Sequence, residues 1–192
     1  MIGAIILAAG SSRRFGDDKR KAILDEGDSV LVRTINNVAS ILGSTLVVLR
    51  FGDREYADEL EEMIDQPNVS YFLAPDSAKG MAHSLSNAIH SVSDLDAIMV
   101  FLADMPYIQP GTVNKLLTVL DSHEGEAPIV VPTLHGTPGH PVIFDQAYFE
   151  ELQALEGDSG ARSVVEAHPD NLVLVEIDDP GVLKDIDTPN DL

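Results

Sequence analysis

The chain contains no cysteine, and this absence excludes disulfide bonds, thiolate zinc sites and cysteine nucleophiles. Cations are also scarce, because 12 Lys and Arg residues stand against 32 Asp and Glu residues and give a formal net charge of -20. A surface this acidic repels DNA, RNA and anionic lipid, so we expect no nucleic acid and no membrane among the partners.

Long apolar runs are missing as well, since none approaches the roughly 18 residues that a membrane-spanning helix needs. The apolar segment 1–10 lacks the preceding positive charge of a signal peptide. We therefore expect a cytoplasmic protein.

Hydrophobic periodicity predicts an α/β fold. The 192 residues predict a single domain, 1–192, because a domain typically holds about 100–200 residues. Short apolar runs such as Ile2–Leu7 are typical of buried strands, and they alternate with helical segments. This alternation predicts a Rossmann-like, three-layer α/β/α architecture around a mostly parallel sheet. Two strands near 129–144 are joined by a loop without a helix, which predicts an antiparallel or edge excursion.

The loops that follow the predicted strands are the expected ligand site, because open sheets of this class bind ligands beyond the carboxyl ends of their strands. These loops are 8–21, 74–80, 103–109 and 132–141. Five of the twelve cations share one of them: Arg13, Arg14, Lys19, Arg20 and Lys21. In so acidic a chain this clustering favours an anion site, with a solvated basic turn as the alternative.

The first of these loops has the composition of a phosphate cradle. Small residues and glycine allow a close approach of the backbone to a ligand, and their N–H groups can form an anion-binding concavity. Arg13 or Arg14 is suited to clamp a phosphate with two hydrogen bonds, and Lys19 adds a point charge. Asp104 follows the most apolar strand, where a carboxylate is costly to desolvate without a cation. A turn-stabilising role before Pro106 is the alternative.

The segment Leu7–Gly16, LAAGSSRRFG, resembles the LAAG-x-S-x-R-x-G signature of nucleotidyltransferases related to molybdenum cofactor guanylyl- and cytidylyltransferases. The resemblance implies a GT-A-like nucleotidyltransferase fold. It also implies catalytic roles for Arg14, at the signature arginine, and for Lys19, which keeps the Gly-x-x-Lys spacing. Lys21 is the alternative if two residues are inserted.

Further motifs extend the resemblance to most of the chain, in the family's order. They are Gly80–Leu85, Leu102–Pro106, Gly139–Val142, Gly157–Arg162 and 185–189. The nucleotide-binding residues implied are Leu7, Ala8, Ala9, Gly10, Ser11, Ser12, Gly16, Gly80, Met81 and Ser84. The resemblance implies Mg²⁺ bound by Asp104 and Asp187, with Asp185 as the alternate to Asp187. It implies a substrate site at Gly139 and His140.

Two details resemble the cytidylyl branch of the family, namely LAAG in place of LAGG and the sequence Gly139-His140-Pro141. The implied reaction joins CTP to a phosphorylated pterin-type acceptor, the molybdopterin cofactor, and releases pyrophosphate. A molybdoenzyme would then be the recipient of the product. Two alternatives stay open: a guanylyl- or other NTP transferase with a different phosphorylated acceptor, and a non-catalytic chaperone that binds and inserts the cofactor.

The excess of acidic residues generates the first prediction. Self-repulsion at a net charge of -20 destabilises the compact state, and salt shortens the Debye length from about 30 Å at 0.01 M to about 3 Å at 1 M. We expect the melting temperature to rise as KCl increases over this range. A melting temperature that stays flat or falls would contradict this account of the charge.

Overall fold

The computed structural model describes residues 1–10, 12, 15–25, 27–123, 125–157 and 160–192. Ser11 and Arg14, two of the predicted site residues, lie outside the described residues. The strands are β1 (Ile2–Leu7), β2 (Thr45–Arg50), β3 (Val69–Ala74), β4 (Ala97–Leu102), β5 (Ile129–Leu134), β6 (Thr137–Pro138), β7 (Val142–Asp145) and β8 (Leu172–Glu176). The helices are α1 (Val30–Ala39), α2 (Arg54–Met63), α3 (Met81–Ile89), α4 (Pro110–Ser122), α5 (Phe149–Gln153) and α6 (Arg162–Ala167).

Within the described residues, eight strands form one sheet in the order β3-β2-β1-β4-β7-β5-β6, and β8 pairs with β5. The neighbours β3, β2, β1 and β4 are all parallel. The strand β7 runs antiparallel to both β4 and β5, which confirms the excursion expected near 129–144. The predicted α/β class with a mostly parallel sheet is confirmed, whereas the single-domain boundary 1–192 stays a prediction.

The central strand β1 is apolar throughout because helices cover both faces of the sheet. Successive side chains of a strand point to opposite faces, and Ile6 packs into one hydrophobic core while Ile5 packs into the other. The first core includes Leu31 of α1, and the second includes Leu85 of α3. The helices on the two faces and the sheet between them form the three predicted layers.

Local features determine where two of the helices begin and end. Ser29 begins α1 as its cap, since its hydroxyl accepts a hydrogen bond of 3.3 Å from the Val32 amide. The helical pattern of the sequence extends over 81–92, but α3 ends at Ile89 and the chain continues as a 3-10 turn, His90–Val92, a common form for the last turn of a helix. No helix in the described part of the chain combines the length and the apolar character that a membrane span requires.

Candidate active site

A cleft of about 1070 Å³ opens at the carboxyl edge of the four parallel strands. Three of the four predicted loops contribute to its wall, through the segments 7–10, 77–80 and 102–104. The fourth predicted loop, 132–141, adds no residue to the wall within the described residues. The wall also contains residues 50–53 after β2, a segment that the sequence did not single out. The rule that ligands bind beyond the carboxyl ends of strands thus locates the cleft.

Three carboxylates meet at one side of this cleft. Asp104, Asp185 and Asp187 each offer an oxygen atom, and these atoms lie within 4.8 Å of one another. Asp104 follows β4, and its carbonyl accepts a hydrogen bond of 2.9 Å from the amide of Ile186. Because Ile186 is fully buried, it anchors the C-terminal segment so that both flanking aspartates reach Asp104. The sequence left Asp185 and Asp187 as alternatives, and the structure brings both to the cluster.

The carboxylate cluster fits a divalent cation. The Oδ1 atom of Asp104 is buried and has no hydrogen-bond partner among the described residues. Three neighbouring carboxylates repel one another, and a bound cation relieves that repulsion. Oxygen ligands from one or two carboxylates, completed by substrate phosphates and water, are the set that Mg²⁺ prefers.

Lys19 joins the carboxylates within the cleft. Its Nζ atom donates a hydrogen bond to Asp104 and lies 3.4 Å from Oδ1 of Asp187. By contrast, the Nζ atom of Lys21 lies 2.9 Å from Oε2 of Glu59 at an exposed position. The structure therefore favours Lys19 over Lys21 as the lysine that faces a ligand in the cleft.

The 3-10 turn Lys19–Lys21 explains why three consecutive cationic side chains point in different directions. A 3-10 helix has three residues per turn, so the side chains point about 120° apart. Lys19 faces the cleft, Lys21 faces solvent, and Arg20 between them points inward with a relative exposure of 4%. Sequence reasoning missed this buried role, although the signal was present in the cation run 13–21.

Arg20 ties the loop after β1 to two neighbouring aspartates. It donates hydrogen bonds of 2.9 Å to the Ala8 carbonyl, 2.5 Å to Asp53, and 2.8 and 2.6 Å to Asp18. Burial opposes its charge, but the hydrogen bonds to Asp18 and Asp53 prevail and raise the pKa of Arg20 above its usual value. The guanidinium thus stays charged beneath the loop.

A second arginine, Arg50, also forms hydrogen bonds with the loop after β1. Its guanidinium donates to the Gly10 carbonyl, with an Nε distance of 3.1 Å. Its backbone amide donates to Asp53 over 3.1 Å, so Arg50 and Arg20 share one carboxylate. The next residue, Phe51, donates its amide hydrogen to Oγ of Ser77 at 3.1 Å. These contacts join the loops that follow β1, β2 and β3.

Most of the predicted nucleotide-binding residues line the cleft. Those in the wall are Leu7, Ala8, Ala9, Gly10, Ser12, Gly80, Met81 and Ser84. Gly80 begins α3 with a φ of 129°, a conformation that L side chains rarely adopt. Gly16 is exposed and is not part of the wall, which leaves its predicted nucleotide contact without support from the geometry.

Gly139 and His140 pack near the carboxylates but do not line the cleft. A Cβ atom on Gly139 would lie 2.3 Å from the Val182 carbonyl oxygen, so this close approach requires glycine. The His140 amide donates to the same carbonyl at 2.9 Å. Burial lowers the pKa of His140, although the Val100 carbonyl and nearby acidic charges act in the opposite direction. The motif has a clear packing role here, and its substrate role stays a prediction.

Comparison with known proteins gives similarities along nearly the whole chain. Residues 4–172 match the model of a family described as the MobA-like NTP transferase domain. Purine catabolism protein PucB of Bacillus subtilis (strain 168) is 29% identical over an alignment of 199 residues, which covers 97% of this chain and 92% of that protein. Molybdenum cofactor cytidylyltransferase of Escherichia coli (strain K12) is 25% identical over 190 residues, with 99% and 93% covered.

A solved structure has a similar fold. It is the crystal structure of a homologue, from Mycobacterium sp. strain JC1, of the Mycobacterium tuberculosis protein Rv0371c. Its TM-score is 0.77 at 27% sequence identity, and the match covers 99% of this chain and 92% of that chain.

The two lysines of the 3-10 turn provide a matched pair of variants. We expect Lys19→Ala to weaken the binding of inorganic tripolyphosphate, measured by calorimetry with Mg²⁺, by about tenfold to a hundredfold, because it removes a charge-assisted contact worth roughly 1.5–3 kcal/mol. Lys21→Ala should leave this affinity unchanged, since Lys21 points away from the cleft. A loss confined to Lys21→Ala, or equal losses in both variants, would contradict the geometry.

Proposed function

The chain belongs to the family of MobA-like NTP transferase domains, which confirms the resemblance in its motifs, and we propose that this nucleotidyltransferase uses CTP and Mg²⁺. The acceptor we propose is a phosphorylated pterin, the molybdopterin cofactor, with a molybdoenzyme as the recipient of the product. The name of the Escherichia coli relative supports this choice, as does the LAAG sequence at 7–10.

One observation carries the proposal, namely the lysine and three carboxylates gathered at one side of the cleft. Lys19 supplies a positive charge, and Asp104, Asp185 and Asp187 supply oxygen ligands within 4.8 Å of one another. A site that holds both an ammonium group and a set of hard oxygen ligands suits a substrate with several adjacent phosphates.

In the proposed reaction an oxygen of the acceptor phosphate attacks the α-phosphorus of the nucleotide. The new P–O bond forms as the bond to the β-phosphate oxygen breaks, and pyrophosphate leaves with the electron pair. Protein groups contribute mainly positioning and charge neutralisation in such transfers. Lys19 stabilises the charge that develops on the departing pyrophosphate, and we assign the same task to Arg14 from the signature motif.

Asp104 and Asp187 are the proposed ligands of Mg²⁺, and Asp185 lies close enough to act with them. When bound there, the ion supplies neutralisation of the phosphate charge. Asp104 is the best placed of the three, because its buried Oδ1 atom has no other partner among the described residues.

Arg20 and Arg50 bind carbonyl groups of the loop after β1 and thereby orient its peptide groups. In a trans peptide the N–H points opposite to the preceding carbonyl. Because Arg20 binds the Ala8 carbonyl, the Ala9 amide hydrogen points away from Arg20. Ala9 itself lines the cleft, so we propose that this amide is presented to a phosphate of the nucleotide.

The choice of base is proposed to depend on the segments 8–11 and 80–85. The methyl group of Ala9, where the guanylyl signature has glycine, crowds a purine more than a pyrimidine. A site built around one base also leaves polar groups unpaired when another base binds, which allows large discrimination.

Binding and turnover with the four nucleotides test the proposed function. We expect CTP with Mg²⁺ to raise the melting temperature more than GTP, ATP or UTP does, because Ala9 crowds a purine and a site built around cytosine leaves polar groups unpaired when another base binds. The same order should hold for pyrophosphate release when molybdopterin is supplied. A preference for GTP in both assays would transfer the protein to the guanylyl branch. No response to any nucleotide would contradict catalysis and favour the cofactor-binding chaperone.

A further inference from the structure

Two exposed apolar side chains line the cleft. Phe51 has a relative exposure of 66% and Met81 one of 43%. Single exposed apolar residues are common on protein surfaces. Here, however, both belong to the wall of the cleft that contains Lys19 and the carboxylates, so they are exposed to whatever ligand the cleft holds.

The strand order gives the position of Phe51 relative to the carboxylates. Phe51 follows β2 and Asp104 follows β4, with β1 between these two strands. Neighbouring strands lie about 4.8 Å apart, which separates the two strand ends by about 10 Å. Among the described residues the wall continues from the carboxylates toward β2 and β3, and no residue of β5 or β7 contributes to it. For a nucleotide whose phosphates lie at Lys19, the cleft therefore offers space for the base on the side where Phe51 lies.

Hydrogen bonds of Phe51 and of the preceding residue hold the backbone in place, while the Phe51 ring stays exposed. Its amide donates to Oγ of Ser77 at 3.1 Å. The preceding residue, Arg50, is bound to the Gly10 carbonyl and to Asp53. The ring thus projects from a segment that is attached to both neighbouring loops.

We propose that the ring of Phe51 stacks on the nucleobase of the bound nucleotide. This inference rests on the proposed function, because it requires a nucleotide in the cleft. Every base has a π-face, so stacking contributes affinity without selecting among bases. Phe51 thereby differs from Ala9, which we have argued acts on the choice between bases.

The test compares a nucleotide with its phosphate chain alone. Phe51→Leu keeps an apolar side chain and removes the aromatic face. We expect it to weaken the binding of CTP and of GTP by about five- to tenfold, at the lower end of reported base-stacking effects because the ring lies at an open rim. The affinity for inorganic tripolyphosphate, which has no base, should stay unchanged. Met63→Leu, at an exposed position of α2 outside the cleft wall, is the matched control.

A fluorescent variant reports the contact directly, since the chain contains no tryptophan. In Phe51→Trp we expect CTP to quench the emission and tripolyphosphate to leave it unchanged. Met63→Trp provides the control reporter, and neither ligand should alter its emission.

Two results would overturn the inference while leaving the proposed function in place. The first is equal CTP affinity in Phe51→Leu and the wild type. The second is an equal loss of CTP and tripolyphosphate affinity, which would mean that the substitution disturbs the loop and not a base contact. Failure of the wild type to bind any nucleotide is a distinct result and would contradict both proposals.

Discussion

The guanidinium of Arg20 holds the loop after β1 from below, and the shape of the cleft depends on this one buried ion. It binds the Ala8 carbonyl and the carboxylates of Asp18 and Asp53, and it lies 4.9 Å from the ring centroid of Tyr56. Removing one partner of a buried ion pair typically costs about 3–5 kcal/mol, because the other charge stays buried without compensation. Burial raises the pKa of Asp18, but the contact with Arg20 outweighs it and lowers the pKa overall.

The same constraint explains how a chain with a net charge of -20 retains an anion site. A phosphate chain approaching this protein meets repulsion over most of the surface, so the cleft needs concentrated positive charge. Lys19 directs its charge into the cleft, whereas Arg20 is paired with Asp18 and Asp53 and holds the loop whose backbone faces the ligand. The acidic residues in the cleft are tolerated because Lys19 contacts two of the three carboxylates.

Sequence reasoning succeeded where a local pattern determines the structure. Apolar strands alternating with helices gave the parallel sheet, since strands covered on both faces are apolar throughout. The carboxyl-edge rule then brought Lys19 and Asp104 to one cleft, although 85 positions separate them. Asp185 and Asp187 were both found as candidates, and the buried side chain between them explains why each reaches the cluster.

The parts that the sequence did not predict depend on contacts between distant segments. The Gly-x-x-Lys spacing pointed to Lys19, but the buried role of Arg20 depends on a 3-10 turn and on Asp53, far along the chain. His140 matches a family motif, yet its segment packs against Val182. The contribution of Arg50 and Phe51 arises only when β2 lies beside β1 in the sheet.

The central claim is that Asp104 holds a divalent cation that the nucleotide shares. Calorimetry of CTP binding, with Mg²⁺ and with EDTA, tests it most directly in the wild type, in Asp104→Asn, and in Asp121→Asn as a control at an exposed position of α4. The account predicts that Mg²⁺ tightens CTP binding in the wild type and in the control, and that Asp104→Asn folds but loses this gain. Equal CTP affinity with Mg²⁺ and with EDTA in the wild type, or an undiminished gain in Asp104→Asn, would contradict it.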